Sequence, residues 1–504
     1  MFEIRELLKE YLFVSSMALL ISLALTPFIR RYCLRHHVLD FPTDPRRIHR
    51  VPIPRLGGIA IYAAFFLPLF AMFFSAGDAF DLFVEHADVL LSLFAAGSLV
   101  FAIGVYDDMY GATVPQKFAA QTLAAVAMHS LGFKITLLSV PFIGSVPLGI
   151  WGFPLTILWI VGLTNALNFI DGIDGLACGV GFFSITTMFI LSIFLHHPLT
   201  AFFAAALAGA ILGFAMYNFA PASIFMGDSG SLFIGFIIAA ISLQGSQKSS
   251  TAVVLLIPVV ALGLPITDTV LAILRRVSKG VSPFSADKEH IHHKLLGMGF
   301  SSRQVVLILY AVCITLGVTA LLMTTVSNQG LTLILIALSV MAISGMKILG
   351  FTTDVLAINA MMKKRIQEKK RFLERQQLAS QMILEIESAS DFAALKAIIV
   401  RYFKAMEVDV GQCVFPSRQY TQRHPDECRW ISPRYERRDI PIDRIWTVGV
   451  PLGGNDGKYG ELRIGKFLES TNSFAHFEMM AVIEQLKCAV DQRITLLMAG
   501  AAQE

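Results

Sequence analysis

The stretch Asn165-Ala-Leu-Asn168-Phe-Ile-Asp171-Gly-Ile-Asp174-Gly-Leu176 follows at once on an apolar run, Trp151 to Val161. The run reads as a membrane helix. A membrane helix that ends in two carboxylates and two carboxamides needs a reason, because an ionised group in hydrocarbon costs several kcal/mol. Gly172 and Gly175 let the backbone turn sharply and approach a ligand. Asp, Asn and bare backbone offer hard oxygen atoms, suited to Mg²⁺ and phosphates rather than to soft metals. A polar loop that only caps two helices is the competing reading.

Outward from this stretch, the composition sets the class. Of 504 residues, 55% are hydrophobic and 15% charged, which excludes an ordinary soluble protein and indicates a multi-spanning membrane protein. At about 20 apolar residues per span, eleven segments qualify: 11–29, 56–75, 88–105, 116–132, 151–170, 178–196, 199–219, 230–245, 251–274, 304–326 and 331–349. The fourth and eighth are short or rich in small and polar residues. The expected fold is therefore an all-α membrane domain of about 10–11 helices over residues 1–352. The first run shows no trustworthy cleavage site, so a removed signal peptide is not expected.

Basic residues set the orientation. Arg30, Arg31, Arg35, Arg46, Arg47, Arg50 and Arg55 follow span one; Arg275, Arg276, Lys279, Lys288, Lys294 and Arg303 follow span nine. The connection after span two carries Asp78, Asp81, Glu85 and Asp88 without Lys or Arg. Odd-numbered spans then end in the cytoplasm, with Arg5 and Lys9 as a mild exception. The same side collects the unusual polar groups. Asp107-Asp108 follows span three, Asn168 to Asp174 span five, Gly227-Asp228-Ser229-Gly230 span seven, and His290-Ile-His292-His293 span nine. Structural caps would divide between both faces; co-location argues for one active site.

Carboxylates crowded at a membrane edge repel strongly where the dielectric is low, and a divalent cation relieves this. Mg²⁺ takes one or two protein oxygens and leaves positions for water and substrate phosphate, a sparse site that Asn168 and Asp228 suit. Asp107 and Asp108 are adjacent on a helix and cannot point the same way, so different roles are expected. Arg47, Arg55, Lys117 and the histidine cluster suit phosphate oxygens. The His-x-His-His pattern alone also admits zinc, but no cysteine or further histidine accompanies it. Pro52-Ile-Pro54-Arg55-Leu-Gly57-Gly58 is a rigid turn, or simply the entry of span two.

Residues 133–150 are too broken by Pro and Gly for a helix and read as a short hairpin. Residues 353–389 form a basic linker helix that either lies near anionic headgroups or is solvated. Residues 390–504 read as a small cytoplasmic α/β domain: a helix at 391–406, a hairpin of Trp446–Leu452 with Glu461–Phe467, and a closing helix at 474–497. This α–β–β–α order resembles a GAF-type sensory domain, by layout and without a motif, and a regulatory or assembly role is expected. The scattered cysteines 33, 178, 313, 413, 428 and 488 have no CxxC spacing and read as packing residues.

Asp107-Asp108, Asn168-Phe-Ile-Asp171-Gly-Ile-Asp174-Gly, Met226-Gly-Asp228-Ser-Gly-Ser and His290-Ile-His-His293 together resemble the polyprenyl-phosphate N-acetylhexosamine-1-phosphate transferases. The match runs in order from about Asp40 to Arg303. Asp287-Lys-Glu-His290-Ile-His-His293 is similar to the WecA/TagO branch rather than the MraY branch, which usually carries three consecutive histidines. The resemblance implies transfer of a sugar 1-phosphate, most simply GlcNAc-1-phosphate, from a UDP-sugar to undecaprenyl phosphate at a bacterial inner membrane, with UMP released. It implies Mg²⁺ (or Mn²⁺) held by Asn168 and Asp228, and Asp107 as base or orienting group for the lipid phosphate with Asp108 beside it. It places Asp171, Asp174, His290, His292, His293, Arg47 and Arg55 on the nucleotide-sugar or diphosphate side, and Lys117 near the lipid phosphate. Membrane lipid is a further partner, nucleic acid is not, and a homodimer is allowed. UDP-MurNAc-pentapeptide transfer, a double displacement through an acyl-phosphate on Asp107 or Asp108, and a lipid-phosphate transporter are the alternatives. Against the last, no internal repeat is visible and the polar clusters lie at helix ends rather than at mid-membrane.

Overall fold

A chain in hydrocarbon must satisfy its backbone N–H and C=O groups within itself, so lipid-facing apolar runs fold as helices. The computed structural model describes residues 7–41, 52–75, 77–140, 144–246, 256–278, 290–406, 408–415, 426–437, 445–453, 460–467 and 473–500. Two compact units divide at residues 358 and 359. In chain order come α1 (Leu8–Arg35), a ribbon of β1 (Leu39–Asp40) with β2 (Ile53–Pro54), α2 (Gly58–Ala71), α3 (Asp78–Glu85), α4 (Ala87–Tyr110) and α5 (Val114–Ser130). A hairpin of β3 (Leu137–Val140) and β4 (Gly144–Pro147) follows, then α6 (Gly152–Ile170), α7 (Leu176–Phe194), α8 (Pro198–Asn218) and α9 (Gly227–Ser246). The remainder of the first unit holds α10 (Leu256–Ala261), α11 (Gly263–Ser278), α12 (Ile291–Gly297), α13 (Ser302–Leu322) and α14 (Asn328–Ile348), with α15 (Phe351–Glu387) running on past residue 358.

Among the described residues, eight helices are long and apolar enough to cross a membrane: α1, α4, α6, α7, α8, α9, α13 and α14. The chain is a multi-pass membrane protein. The three other expected spans fall on helical segments that differ from a straight crossing. Span 56–75 is α2, which continues to Phe74 and meets α3 at a 109° bend. Span 116–132 is α5, only 17 residues long. Span 251–274 divides into α10 and α11, and residues 251–255 lie outside the described residues. Length and average polarity locate such segments but do not encode where a helix bends.

Helix α9 is the axis of the bundle. Its spanning stretch is 83% buried, against 6% for α14. Helices α2, α4, α6, α7 and α8 all pack on it. Small residues make this possible: a Cβ on Gly235 would lie 2.9 Å from the Thr164 backbone of α6. The consequence for function is positional. The first residue of α9 is held against the last turn of α4, and the end of α6 lies alongside.

The second unit contains α16 (Phe392–Ala405), β5 (Val410–Phe415), β6 (Asp426–Ile431), α17 (Pro433–Glu436), β7 (Ile445–Leu452), β8 (Gly460–Phe467) and α18 (Ser473–Gly500). Its sheet is antiparallel in the order β6-β5-β8-β7. Ile399, Tyr402, Phe403, Leu462, Ile464, Leu486 and Val490 form its core. The β7–β8 hairpin is the one read from sequence; β5 and β6 add two strands that the α–β–β–α reading lacked. This layout alone carries no GAF assignment.

Candidate active site

Each functional side chain is placed by a helix end. Asp107 and Asp108 sit in the last turn of α4, about 100° apart around the axis. Lys117 lies in the first turn of α5, whose start is fixed by Pro115 and by Gln116, whose Oε1 accepts the Thr113 N–H at 2.8 Å. Asn168 is in the last turn of α6, and Asp228 is the second residue of α9.

These four elements meet. Lys117 Nζ lies 2.7 Å from Asp228 Oδ2 and 3.2 Å from Asp107 Oδ2. Asn168 Nδ2 donates to Asp228 Oδ1 at 3.0 Å and to Ser231 Oγ at 2.8 Å. That commits the carboxamide nitrogen and leaves its oxygen for a ligand. Asp108 turns the other way and is only 4% exposed. Its Oδ1 accepts the Asp228 N–H at 2.9 Å and its Oδ2 the Ser229 N–H at 3.0 Å. A carboxylate on the first N–H groups of a helix is favoured by both the hydrogen bonds and the helix dipole. The two adjacent acids thus do different things: Asp108 seats α9 on α4, and Asp107 faces Lys117. Gly227 makes the seat possible, with φ of +71° and a Cβ position that Asp108 Oδ2 already fills.

Arg55 Nη2 approaches the Asp107 carbonyl oxygen at 3.4 Å, and its Nη1 lies 3.7 Å from Asp40 Oδ1. Arg46, Arg47 and Arg50 lie outside the described residues, as do Lys279 and Lys288; the expected phosphate contact of Arg47 falls there. Asp171 follows α6 directly. Burial, then the charges of Asp228, Asp108 and Asp174, push its carboxyl up to about 8. Asp174 Oδ2 accepts the Ala222 N–H at 2.9 Å, which ties the loop to the chain after α8.

The histidines join through that same loop. A Cβ on Gly172 would lie 2.5 Å from His292 Nε2, so the glycine lets the turn rest on the ring. The His290 and His292 rings are parallel at 5.7 Å, and His293 is 4.3 Å from His292. Phe169, the neighbour of Asn168, is 6.0 Å from the His290 ring. Burial, then the charge of His293, drives the His292 ring down to about 3, so it is neutral near pH 7.

The donor set can be tested for a hard cation. Asp107, Asp108 and Asp228 each place a carboxylate oxygen within 4.8 Å of the others. Lys117 is the one ammonium in contact with these three carboxyl groups among the described residues. Negative charge therefore exceeds positive, and every candidate ligand atom is oxygen. Such a set fits Mg²⁺ or Mn²⁺ and not a thiophilic metal.

Two partners escaped the sequence reading. Ser231 anchors the Asn168 amide. Asp268, in α11, has Oδ2 2.7 Å from His290 Nδ1 and accepts the Ile291 N–H on Oδ1 at 2.8 Å. The signal for Asp268 was present: it is a lone acid inside an expected apolar span, 251–274.

Comparison with known proteins follows this geometry. The model of glycosyl transferase family 4 matches residues 90–246. A probable undecaprenyl-phosphate N-acetylglucosaminyl 1-phosphate transferase of Bacillus subtilis (strain 168) is 36% identical over 308 residues, 61% of this chain and 83% of that protein. A decaprenyl-phosphate N-acetylglucosaminephosphotransferase of Mycolicibacterium smegmatis is 35% identical over 326 residues, 60% of this chain and 79% of its own. An undecaprenyl-phosphate alpha-N-acetylglucosaminyl 1-phosphate transferase of Escherichia coli (strain K12) is 34% identical over 284 residues, 55% and 74% of the two chains.

Proposed function

This chain belongs to glycosyl transferase family 4, and from that membership we propose that it transfers GlcNAc-1-phosphate from UDP-GlcNAc to undecaprenyl phosphate. UMP is released, and the lipid-diphosphate sugar begins a cell-envelope glycan. The observation that carries the reading is Lys117 between Asp107 and Asp228, with Asn168 bonded to the same Asp228. The names of the similar proteins favour GlcNAc over a MurNAc-pentapeptide donor. The membrane is the bacterial inner membrane, with the site and the second unit on the cytoplasmic side, as the basic connections indicate.

In the reaction an oxygen of the lipid phosphate bonds to the β-phosphorus of the donor. The bond from that phosphorus to the oxygen bridging the α-phosphate breaks, and UMP carries the oxygen away. One phosphoanhydride replaces another, so the step is near thermoneutral. A phosphate monoester is largely dianionic near pH 7, since its second pKa is about 6. Proton abstraction therefore contributes little, and positioning and charge neutralisation contribute most.

Lys117 receives the lipid phosphate, with Asp107 fixing its ammonium from one side and Asp228 from the other. Arg55 borders the same end of α4. Asp108 contributes indirectly, by holding the first turn of α9 and hence Asp228. The histidines take the donor diphosphate, and Asp171 and Asp174 shape the loop between the two substrates. Asn168 and Asp228 would hold Mg²⁺, which would supply charge neutralisation at the donor diphosphate.

The test is a panel of UDP-sugars given to the purified full-length protein with undecaprenyl phosphate. UDP-GlcNAc is expected to turn over fastest; turnover of UDP-MurNAc-pentapeptide alone would contradict the assignment. For the second unit the proposal is a regulatory or assembly role. Truncation near residue 352 tests it: unchanged kinetics with unchanged assembly would leave the role without support.

A further inference from the structure

The buried pair of Asp268 and His290 joins a helix of the bundle, α11, to the segment that carries the histidines. Their side chains are 2% and 7% exposed. A buried carboxylate is costly unless its oxygens are satisfied, and both are: Oδ2 by His290 Nδ1 at 2.7 Å, Oδ1 by the Ile291 N–H at 2.8 Å. An ionised carboxylate only accepts, so Nδ1 must carry the proton. Nε2 is then the one ring nitrogen that remains for a substrate.

The surroundings restrict the ring further. It is parallel to His292 at 5.7 Å and lies 6.0 Å from Phe169, whose own ring lies under the Arg276 guanidinium at 5.5 Å. Two hydrogen bonds accepted by one carboxylate, one from the ring and one from the backbone beside it, fix the rotation of the imidazole and the start of α12 together. A carboxylate bonded to the far nitrogen of a working histidine sets its tautomer and its direction.

We propose that Asp268 is a positioning residue for donor binding: it accepts His290 Nδ1–H and balances the charge of an imidazolium whose Nε2–H is donated to the diphosphate of the nucleotide sugar. The contact of Nε2 with diphosphate rests on the transferase reading; the state of Nδ1 does not. Asp268→Asn separates the two jobs of the carboxylate. An asparagine oxygen still accepts the Ile291 N–H, while its NH₂ group meets Nδ1 as a donor, which excludes a proton on Nδ1 and with it the imidazolium.

The experiment uses full-length protein in detergent with isotope-labelled histidine, and the His290 signals are assigned by their loss in His290→Gln. With UDP-GlcNAc bound, the wild type is expected to show protons on both Nδ1 and Nε2, and Asp268→Asn a proton on Nε2 alone. In steady-state assays with UDP-GlcNAc, Asp268→Asn should lower kcat/KM for the donor by roughly 10–100-fold and leave KM for undecaprenyl phosphate unchanged. In a His290→Gln background the same change should cost less than about threefold, which a purely structural role in capping α12 would not produce. An unprotonated Nδ1 in the wild type, or an equal cost of Asp268→Asn in both backgrounds, overturns the proposal. Absence of transfer from every UDP-sugar by the wild type would instead count against the transferase reading, and the Nδ1 measurement would still decide the role of Asp268.

Discussion

The site has two halves, and they are built on opposite principles. The acidic half gathers Asp107, Asp108 and Asp228 within one small volume and holds them with a single lysine and the first N–H groups of α9. The histidine half gathers three rings and holds them with one carboxylate, Asp268, and with a glycine that leaves room for His292. Charge on the first half is under-compensated and invites a cation and a phosphate together. On the second half the one carboxylate is already bonded to a ring and to a backbone N–H, and the geometry of the rings matters more. Removing a group of the acidic half that meets substrate should therefore stop the reaction, whereas changes in the histidine half should weaken donor use in steps.

The largest effect is expected at Asp228, which contacts both Lys117 and Asn168. Asp228→Ala should reduce turnover by about 10³-fold or more, by analogy with loss of a group that stabilises transition-state charge. Chelation with EDTA should abolish wild-type turnover and added Mg²⁺ restore it. Retained turnover of the variant in an EDTA titration would remove Asp228 from the metal site.

A smaller loss is expected from Gly172→Ala. The added methyl would lie 2.5 Å from His292 Nε2, so the loop or the ring must move. KM for the UDP-sugar should rise roughly tenfold, with KM for the lipid little changed. Equal changes in both constants would show that the two halves are one rigid body, and the comparison would lose its force.

Asp108→Ala probes seating rather than chemistry. It leaves two buried N–H groups without acceptors, at about 1–3 kcal/mol each. Thermal denaturation should occur at lower temperature, and turnover should fall with it because Asp228 loses its anchor. A full loss of turnover without any loss of stability would instead place Asp108 among the residues that touch substrate.

The smallest effect is pH-dependent. The folded state holds His292 neutral, with its ring driven down to about 3, while an unfolded histidine titrates near 6.5. Between these values the unfolded chain binds the extra proton, so stability is fully present above about 6.5 and is lost as pH falls below it. His292→Gln should flatten that acid slope in a thermal-shift series; an unchanged slope would show that His292 is not the group responsible.

What the sequence made legible follows the same division. Among the described residues every expected span falls on helical segments, because a long apolar run has few alternatives in lipid. The acidic half was also legible, since aspartates at the ends of such runs stand out against their surroundings. Asp268 was visible as a lone acid within an expected span, but a reading that searches span ends passes over it. In the second unit, β5 alternates its burial through Gly411, Cys413 and Phe415, and β6 reads Asp426-Glu-Cys-Arg-Trp-Ile431. Gly411 and Cys413 on the buried side of β5, and the Asp-Glu-Cys-Arg opening of β6, give little hydropathic signal. The division of labour between Asp107 and Asp108 was legible only as a difference; which of them caps α9 required the packing of α4.

The identity of the nucleotide product tests the central claim most directly. With UDP-GlcNAc and undecaprenyl phosphate, the purified protein should release UMP in step with lipid-diphosphate GlcNAc, and release none when the lipid is omitted. Formation of UDP in place of UMP would mean that the sugar–phosphate bond had been cut rather than the phosphoanhydride, and would contradict the account.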